Sequence, residues 1–198
     1  MIFSGGHKMN RLARLRASMK TCPVVRFGDY SYFVHPITDG IPLGDPLVLE
    51  EVIDEMLRVG DFRCDKIITI ESMGFPLAAQ LSIKTRVPYV FIRKREYGLP
   101  GEVSVQQVTG YSEKKLFMNN IKRGDRLVFV DDVVSTGGSL RAVVSAINKV
   151  GAKIIDAIIV FEKTRNRKGL EKELGIRIKT LLGVDVIDGE VVEVPIQS

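Results

Sequence analysis

Short apolar runs alternate with helical patterns along most of the chain. Runs rich in β-branched and aromatic residues have the length of buried strands, and between them apolar positions repeat every three or four residues, as on one face of a helix. The predicted strands are residues 66–70, 89–92, 127–130 and 154–161, and the predicted helices are residues 46–59, 75–83 and 139–150. This alternation predicts an α/β fold with a doubly wound, mostly parallel sheet flanked by helices.

Two further segments do not fit the alternation. Residues 93–126 form a long polar connection that contains Gly98, Gly101 and Gly110. Connections of this length are often functional lids, although a β-hairpin explains the same pattern. Near the end, residues 184–194 alternate around Asp188-Gly189, a pair favoured in two-residue turns, which predicts a small terminal hairpin.

Length and composition favour one globular domain. The 198 residues are 45% hydrophobic, enough to bury a core, and no apolar run approaches the roughly 18 residues of a membrane-spanning helix. The first twenty residues lack the compact apolar block of a secretory signal, so we expect a cytoplasmic protein. Cys22 and Cys64 are too few for a disulfide framework and lack the spacing of a zinc site. We expect an N-terminal extension with a helix over residues 1–20 and a single domain over residues 21–198.

The charge indicates an anionic partner. The formal net charge is +5, which is compatible with nucleic acid, an acidic lipid surface or a phosphorylated small molecule. The basic residues cluster at positions 11–20, 93–95 and 163–172, without the interleaved aromatics of a base-stacking surface. A phosphorylated small molecule is therefore favoured over nucleic acid.

The segment 128–139 carries the clearest chemistry. A buried strand runs into Asp131 and Asp132, and a turn of hydroxyls and glycines then opens a helix. Such a turn directs backbone N–H groups toward a phosphate at the carboxyl edge of the sheet; here it consists of Ser135, Thr136, Gly137, Gly138 and Ser139. Two carboxylates would repel a bare phosphate but accept hydrogen bonds from sugar hydroxyls, so a sugar phosphate suits both parts. The alternative is a capped helix beside a solvated aspartate pair.

Other phosphate motifs are absent, since neither G-x-x-x-x-G-K-[ST] nor G-x-G-x-x-G follows a strand. Residues 128–139 instead resemble the diphosphoribosyl-binding signature of type I phosphoribosyltransferases. Residues 71–75, 93–95 and 99–102 resemble successive elements of the adenine phosphoribosyltransferase branch. Residues 32–40, together with residues 108–111, are more similar to archaeal hypoxanthine/guanine phosphoribosyltransferases.

This resemblance implies transfer of 5-phosphoribosyl from 5-phosphoribosyl-1-diphosphate to a purine base, with release of pyrophosphate. It implies Mg²⁺ held mainly by substrate oxygens rather than by a dedicated protein metal site, and a homodimer. It further implies a small hood, built from residues of about 24–45 and 183–198, and a flexible flap over about 93–124. Hypoxanthine and guanine are the expected bases, giving IMP and GMP. Two alternatives stay open: an adenine phosphoribosyltransferase, and a non-catalytic regulator that senses the diphosphate.

The resemblance also assigns roles to residues. Asp131 and Asp132 would bind the ribose as the catalytic pair, with the hydroxyl-and-glycine turn on the 5-phosphate. Pyrophosphate would be held by the backbone of Glu71, Ser72, Met73 and Gly74, with a strained non-proline peptide near Ser72-Met73, and by Arg93 and Lys94. For a 6-oxopurine, Lys163 could donate to O6 and Glu162 could accept from N1–H, although these two could equally be a surface pair.

Two assignments remain open at the level of sequence. The group that handles the ring proton of the base is Glu102, Tyr111 or Asp131, because the carboxylates that related enzymes use stand here as Ser135 and as the 109–111 segment. His35 either contacts the base or is a histidine whose ring nitrogens are satisfied within the protein, and the second interpretation is favoured.

Overall fold

The computed structural model describes residues 11–28, 30–109, 112–163 and 165–196. The first half of the predicted 1–20 extension therefore lies outside the described residues. The helices are α1 (Ala13–Met19), α2 (Pro36–Asp39), α3 (Pro46–Val59), α4 (Gly74–Thr85), α5 (Gly138–Val150) and α6 (Arg167–Leu174). The strands are β1 (Val24–Phe27), β2 (Tyr30–Phe33), β3 (Lys66–Ile70), β4 (Tyr89–Ile92), β5 (Val103–Thr109), β6 (Ser112–Met118), β7 (Arg126–Val134), β8 (Lys153–Glu162), β9 (Ile178–Ile187) and β10 (Glu190–Val194).

The centre of the molecule is a six-stranded sheet in the order β10-β9-β8-β7-β3-β4. The pairs from β9 through to β4 are parallel, and β10 is antiparallel to β9. The predicted α/β fold with a mostly parallel sheet is thus confirmed. Four predicted strands and three predicted helices correspond to β3, β4, β7, β8, α3, α4 and α5, with ends that differ by no more than a few residues.

The sheet is buried on both faces, and β7 shows why its sequence is apolar at every position. Leu127 and Phe129 pack in the core with α5, α6 and β6, whereas Val128 and Val130 pack in the core with α1, α3 and α4. All four are at most 1% exposed. Burying each such side chain contributes about 1.5–3 kcal/mol, so this strand holds the two layers together.

The long polar connection folds as a β-hairpin, the second of the two interpretations of its sequence. Strands β5 and β6 pair antiparallel in a separate two-stranded sheet. Its base is tied to the main sheet because Arg93 and Phe117 exchange backbone hydrogen bonds of 2.8 and 2.7 Å. Residues 110 and 111, including the candidate Tyr111, lie outside the described residues.

The predicted C-terminal hairpin is confirmed. The turn at Asp188-Gly189, with positive φ at both residues, joins the antiparallel strands β9 and β10. The prediction missed that β9 begins earlier, at Ile178, and pairs parallel to β8, so the hairpin belongs to the main sheet. The mixed pattern of residues 178–183 hid this strand, and α6 was also missed because it is polar on most of its surface.

The first helix is packed into the body of the protein. The Glu51 carboxylate of α3 accepts hydrogen bonds from the backbone N–H groups of Arg14 and Leu15, at 3.3 and 2.9 Å. Leu15 is fully buried against α3. No helix within the described ranges is long and apolar enough to cross a membrane.

Candidate active site

The carboxyl ends of β3, β4, β7 and β8 meet at one edge of the sheet. Backbone hydrogen bonds fix neighbouring ends, from Glu71 N–H to the Ile92 carbonyl at 2.8 Å and from Lys163 N–H to the Val134 carbonyl at 2.9 Å. Ligands of open α/β sheets bind at such an edge. The structure therefore gathers there the four segments singled out in the sequence, residues 71–74, 93–94, 131–139 and 162–163.

The turn between β7 and α5 encloses a cavity of about 120 Å³. Its lining consists of Phe129, Asp131, Val133, Val134, Ser135, Thr136, Gly137, Gly138, Ser139, Leu140 and Ile159. Gly137 has a φ of +76°, and a Cβ there would lie 2.7 Å from a Leu170 methyl carbon. Glycine is thus required both by the backbone conformation and by the contact with α6. The N-terminus of α5 adds positive potential, which suits an anionic group.

Asp131 and Asp132 are the sixth and seventh of the nine residues of β7, so they lie within the strand rather than after it. Burial raises the pKa of Asp131 well above its usual range, and the charge of Asp132 raises it further. Burial also raises the pKa of Asp132. The Asp132 N–H donates to the Asp131 carboxylate at 3.1 Å. Two adjacent, partly buried carboxylates repel each other, so a ligand that donates hydroxyl groups would stabilise them.

The segment after β3 lies against Asp131. A Cβ on Gly74 would lie 1.7 Å from the Thr69 hydroxyl oxygen and 3.2 Å from a carboxylate oxygen of Asp131. Glycine at this position is therefore required for the loop to approach β3 and β7. The non-proline cis peptide joins Glu71 to Ser72, one bond before the predicted position near Ser72-Met73.

Arg93 and Lys94 follow β4 as predicted. The Arg93 guanidinium lies over the rings of Phe75 and Phe91, 5.4 and 5.6 Å from their centroids, and these two rings are stacked. Lys94 is exposed, and its backbone N–H donates to the Glu71 carboxylate at 3.0 Å. The aromatic pair gives Arg93 a defined position at the edge where a pyrophosphate would be held.

Glu102, a candidate for proton transfer, organises its own loop. Its carboxylate accepts hydrogen bonds from the Asn119 amide at 2.8 Å and from the backbone N–H groups of Tyr97 and Gly98. The Asn119 hydrogen bond, with the two backbone donors, lowers the pKa of Glu102. A carboxylate stabilised in this way is a poor proton acceptor compared with Asp131.

The side chains of Glu162 and Lys163 make contacts in different parts of the structure. Glu162 is 3% exposed and is bound by Arg167 at 3.0 Å and by the Thr180 hydroxyl at 2.6 Å. This buried ion pair joins β8 to α6, and it contradicts the expected contact between Glu162 and a base, because adjacent strand residues point to opposite faces. Lys163 instead points toward β2, where its ammonium donates to the Ser31 carbonyl and lies 4.0 Å from the Tyr30 ring centroid.

The hood contributes two polar residues that sequence reasoning missed. The Asp39 carboxylate accepts hydrogen bonds from the Tyr32 hydroxyl at 2.7 Å and from the Thr38 hydroxyl at 2.6 Å. Its charge adds to burial in raising the pKa of Asp132. Its partners are near in sequence, but nothing in the local pattern distinguishes Asp39 from an ordinary helix-end aspartate.

His35 is fully buried, and both ring nitrogens have partners. Nδ1 accepts from the Ile37 N–H at 3.0 Å, and Nε2 lies 2.9 Å from the Ser18 hydroxyl. The favoured interpretation, a histidine satisfied within the protein, is therefore confirmed. Its hydrogen bond to Ser18 joins α1 to the hood.

Comparison with known families agrees with this geometry. Residues 49–190 match the phosphoribosyl transferase domain. The chain belongs to the phosphoribosyl transferase family. Among curated members of that family, a hypoxanthine/guanine phosphoribosyltransferase of Methanocaldococcus infernus is 52% identical over 180 residues, which cover 90% of this chain and 98% of the relative. One from Methanocaldococcus jannaschii is 48% identical over 179 residues, with the same coverage.

Solved structures of the family share the architecture. The adenine phosphoribosyltransferase of Thermoanaerobacter pseudethanolicus has a TM-score of 0.73 at 22% identity, covering 87% of this chain and 99% of its own. That of Trypanosoma brucei, solved with AMP, pyrophosphate and ribose-5-phosphate, has a TM-score of 0.71 at 18% identity, covering 89% of this chain and 81% of its own. These similarities establish the type I phosphoribosyltransferase fold.

Proposed function

We propose that this phosphoribosyltransferase serves purine salvage by converting hypoxanthine and guanine to IMP and GMP. The observation that carries the choice of base is the position of Lys163, whose ammonium group projects from the carboxyl end of β8 into the hood. A 6-oxopurine presents an acceptor at O6, whereas adenine presents a donor there, so a lysine favours the oxopurine. The names of the archaeal relatives agree with this choice.

In this proposal, N–H groups and cations bind the phosphates of the substrate, and carboxylates bind its ribose hydroxyls. The backbone N–H groups of residues 135–139 and the N-terminus of α5 hold the 5-phosphate, and Asp131 with Asp132 accepts hydrogen bonds from the ribose hydroxyls. Arg93, Lys94 and the backbone of residues 71–74 hold the pyrophosphate group. As the bond from the anomeric carbon to pyrophosphate breaks, these cations stabilise the leaving negative charge while the purine nitrogen forms the new bond.

The ring proton of the purine must leave as the new bond forms. Hydrogen bonds from Asn119 and from two backbone N–H groups lower the pKa of Glu102, which makes it a weak proton acceptor. Asp131 is then the remaining candidate among the described residues. The β5–β6 hairpin would cover the ribose and exclude the water that would otherwise hydrolyse it.

Magnesium suits the donors at this edge. Mg²⁺ prefers carboxylate and phosphate oxygens and keeps several of its waters. Asp131 lies beside Gly74 in the segment that would hold the diphosphate, where oxygens of the substrate itself would supply most of the ligands of the ion. When bound, the ion neutralises charge on the leaving group. We further propose that the enzyme acts in the cytoplasm as a homodimer.

The test is nucleotide formation from Mg²⁺, 5-phosphoribosyl-1-diphosphate and, separately, hypoxanthine, guanine, xanthine and adenine, with products resolved by chromatography. We expect IMP and GMP without AMP. AMP alone would refute the assignment of the base while leaving the phosphate site intact. Tight binding of the diphosphate without any nucleotide product would favour a non-catalytic regulator.

A further inference from the structure

The outer side of the phosphate-binding turn carries an arginine that the proposed reaction does not use. Arg141 lies in the first turn of α5, and its guanidinium donates to the Thr136 carbonyl at 2.7 Å. The same guanidinium binds both carboxylate oxygens of Glu173 on α6, at 2.6 and 2.8 Å. One side chain thus joins the turn, the helix that follows it and a helix from a distant part of the sequence.

The contact with Thr136 determines the direction of a peptide group. A trans peptide is planar, and its C=O and N–H point in opposite directions. Because the Thr136 carbonyl points toward Arg141, the N–H of Gly137 points away from Arg141, and Gly137 lines the cavity that the turn encloses. The turn itself gives this peptide little restraint, since Gly137 has φ of +76° and glycine has wide conformational freedom.

Helix α6 gives Arg141 a fixed support. Leu170 of α6 is buried and would be 2.7 Å from a Cβ on Gly137, so the helix packs directly on the turn. The start of α6 is held by the buried pair of Arg167 and Glu162, and Arg167 also donates to the Ile178 carbonyl at 2.9 Å. The same helix thus carries both the contact with Gly137 and Glu173, the partner of Arg141.

We infer that Arg141, oriented by Glu173, is a positioning residue that holds the Thr136–Gly137 peptide in the conformation that binds the 5-phosphate. This inference rests on the proposed function for the identity of the ligand. Arg141 thus affects the affinity for the phosphate without contacting the reacting atoms. A guanidinium is suited to this task because it can donate to a carbonyl and a carboxylate at once, which a lysine ammonium cannot do in the same planar geometry.

Two explanations of an Arg141 effect are separable. If Arg141 acts by positioning, Arg141→Lys, which keeps the charge, resembles Arg141→Met, and Glu173→Gln also weakens phosphate binding because it loosens the guanidinium. If Arg141 acts by its positive charge alone, Arg141→Lys restores binding, and Glu173→Gln strengthens binding because it removes a neutralising carboxylate. The two explanations predict opposite signs for Glu173→Gln.

The experiment measures the dissociation constant of ribose 5-phosphate by calorimetry and the KM and kcat for 5-phosphoribosyl-1-diphosphate. For Arg141→Met we expect both the dissociation constant and KM to rise about fivefold to tenfold, the loss of one hydrogen bond to a preorganised group, with kcat within about twofold of wild type. Arg58→Met is the matched control, because Arg58 makes the same two-point ion pair with Glu55 on α3. It should change neither constant.

Unchanged ribose 5-phosphate binding in Arg141→Met would overturn the inference. So would restored binding in Arg141→Lys together with tighter binding in Glu173→Gln. If Arg141→Met does not fold, the lysine and glutamine variants still decide between the explanations. If the wild-type protein makes no IMP but these variants still lose affinity for ribose 5-phosphate, the proposed function is refuted and the positioning role of Arg141 stands.

Discussion

The phosphate-binding turn and the hood both adjoin the aspartate pair and are built in different ways. The turn is continuous in sequence, from Ser135 to Ser139, and it is shaped by backbone conformation and glycine contacts. The hood is assembled from β1, β2 and α2, and hydrogen bonds join it to Ser18 of α1 and to Lys163. The turn therefore depends on the absence of side-chain atoms at its glycines, whereas the hood depends on particular polar groups.

The largest effect is expected in the turn, from Gly137→Val. A valine would strain the left-handed backbone and overlap Leu170, so the N–H groups could not approach a phosphate. We expect 5-phosphoribosyl-1-diphosphate affinity to fall by more than about 100-fold, measured by calorimetry. Gly124→Val is the matched control, because Gly124 has φ of +89° but open space around it. It should lose stability and keep its affinity, and equal affinity in both variants would contradict the assignment of the turn.

The next largest effect is expected at Asp131 and Asp132, the two carboxylates that adjoin both regions. Asp131→Asn and Asp132→Asn should each lower kcat/KM by about 100-fold, because charged hydrogen bonds to the ribose are lost. Urea unfolding at pH 7 should show stability equal to or above wild type. The sign follows from the raised pKa: the ionised form is disfavoured in the folded state, so wild-type stability falls as pH rises past the ordinary carboxyl range, and the Asn variants escape this loss.

The exposed Asp54 on α3 provides the control for these variants. Asp54→Asn should change neither turnover nor the pH dependence of unfolding by a comparable amount. Collapse of folding in Asp131→Asn would instead make that carboxylate a structural group, and the proposed binding of the ribose would be wrong.

A smaller effect is expected in the hood from Lys163→Met. The loss of one charged donor to O6 should lower kcat/KM for hypoxanthine by about 10–100-fold, while KM for 5-phosphoribosyl-1-diphosphate stays near wild type. Lys84→Met, on the exposed side of α4, is the control. A change that falls on the diphosphate rather than on the base would remove Lys163 from the proposed base site.

His35→Asn should have the smallest effect on activity and a measurable effect on stability. Burial lowers the pKa of His35 to about 4. The unfolded chain binds this proton near pH 6.5, so stability is constant above that pH and falls by up to ~3 kcal/mol as the pH drops toward 4. His35→Asn should flatten this decline in urea unfolding. A slope unchanged by His35→Asn would show that other groups cause the acid sensitivity.

Sequence reasoning succeeded where the pattern is local. The run from β7 through the turn into α5 contains its own strand, glycines and helix start, so this part of the fold could be predicted from it, and phosphate binding by the turn stays a prediction. The contacts of Asp39, Tyr32 and Arg141 could not be predicted, because they depend on how the hood and α6 fold. The same holds for Glu162: its partner Arg167 is near in sequence, but the direction of its side chain depends on the packing of α6.

The most direct test of the account is a crystal structure of the protein with IMP and pyrophosphate. We expect the 5′-phosphate against the backbone N–H groups of residues 135–139, the ribose hydroxyls on Asp131 and Asp132, and O6 within hydrogen-bond distance of the Lys163 ammonium. A nucleotide bound with its phosphate elsewhere, or with the purine turned away from Lys163 and the hood, would contradict the account.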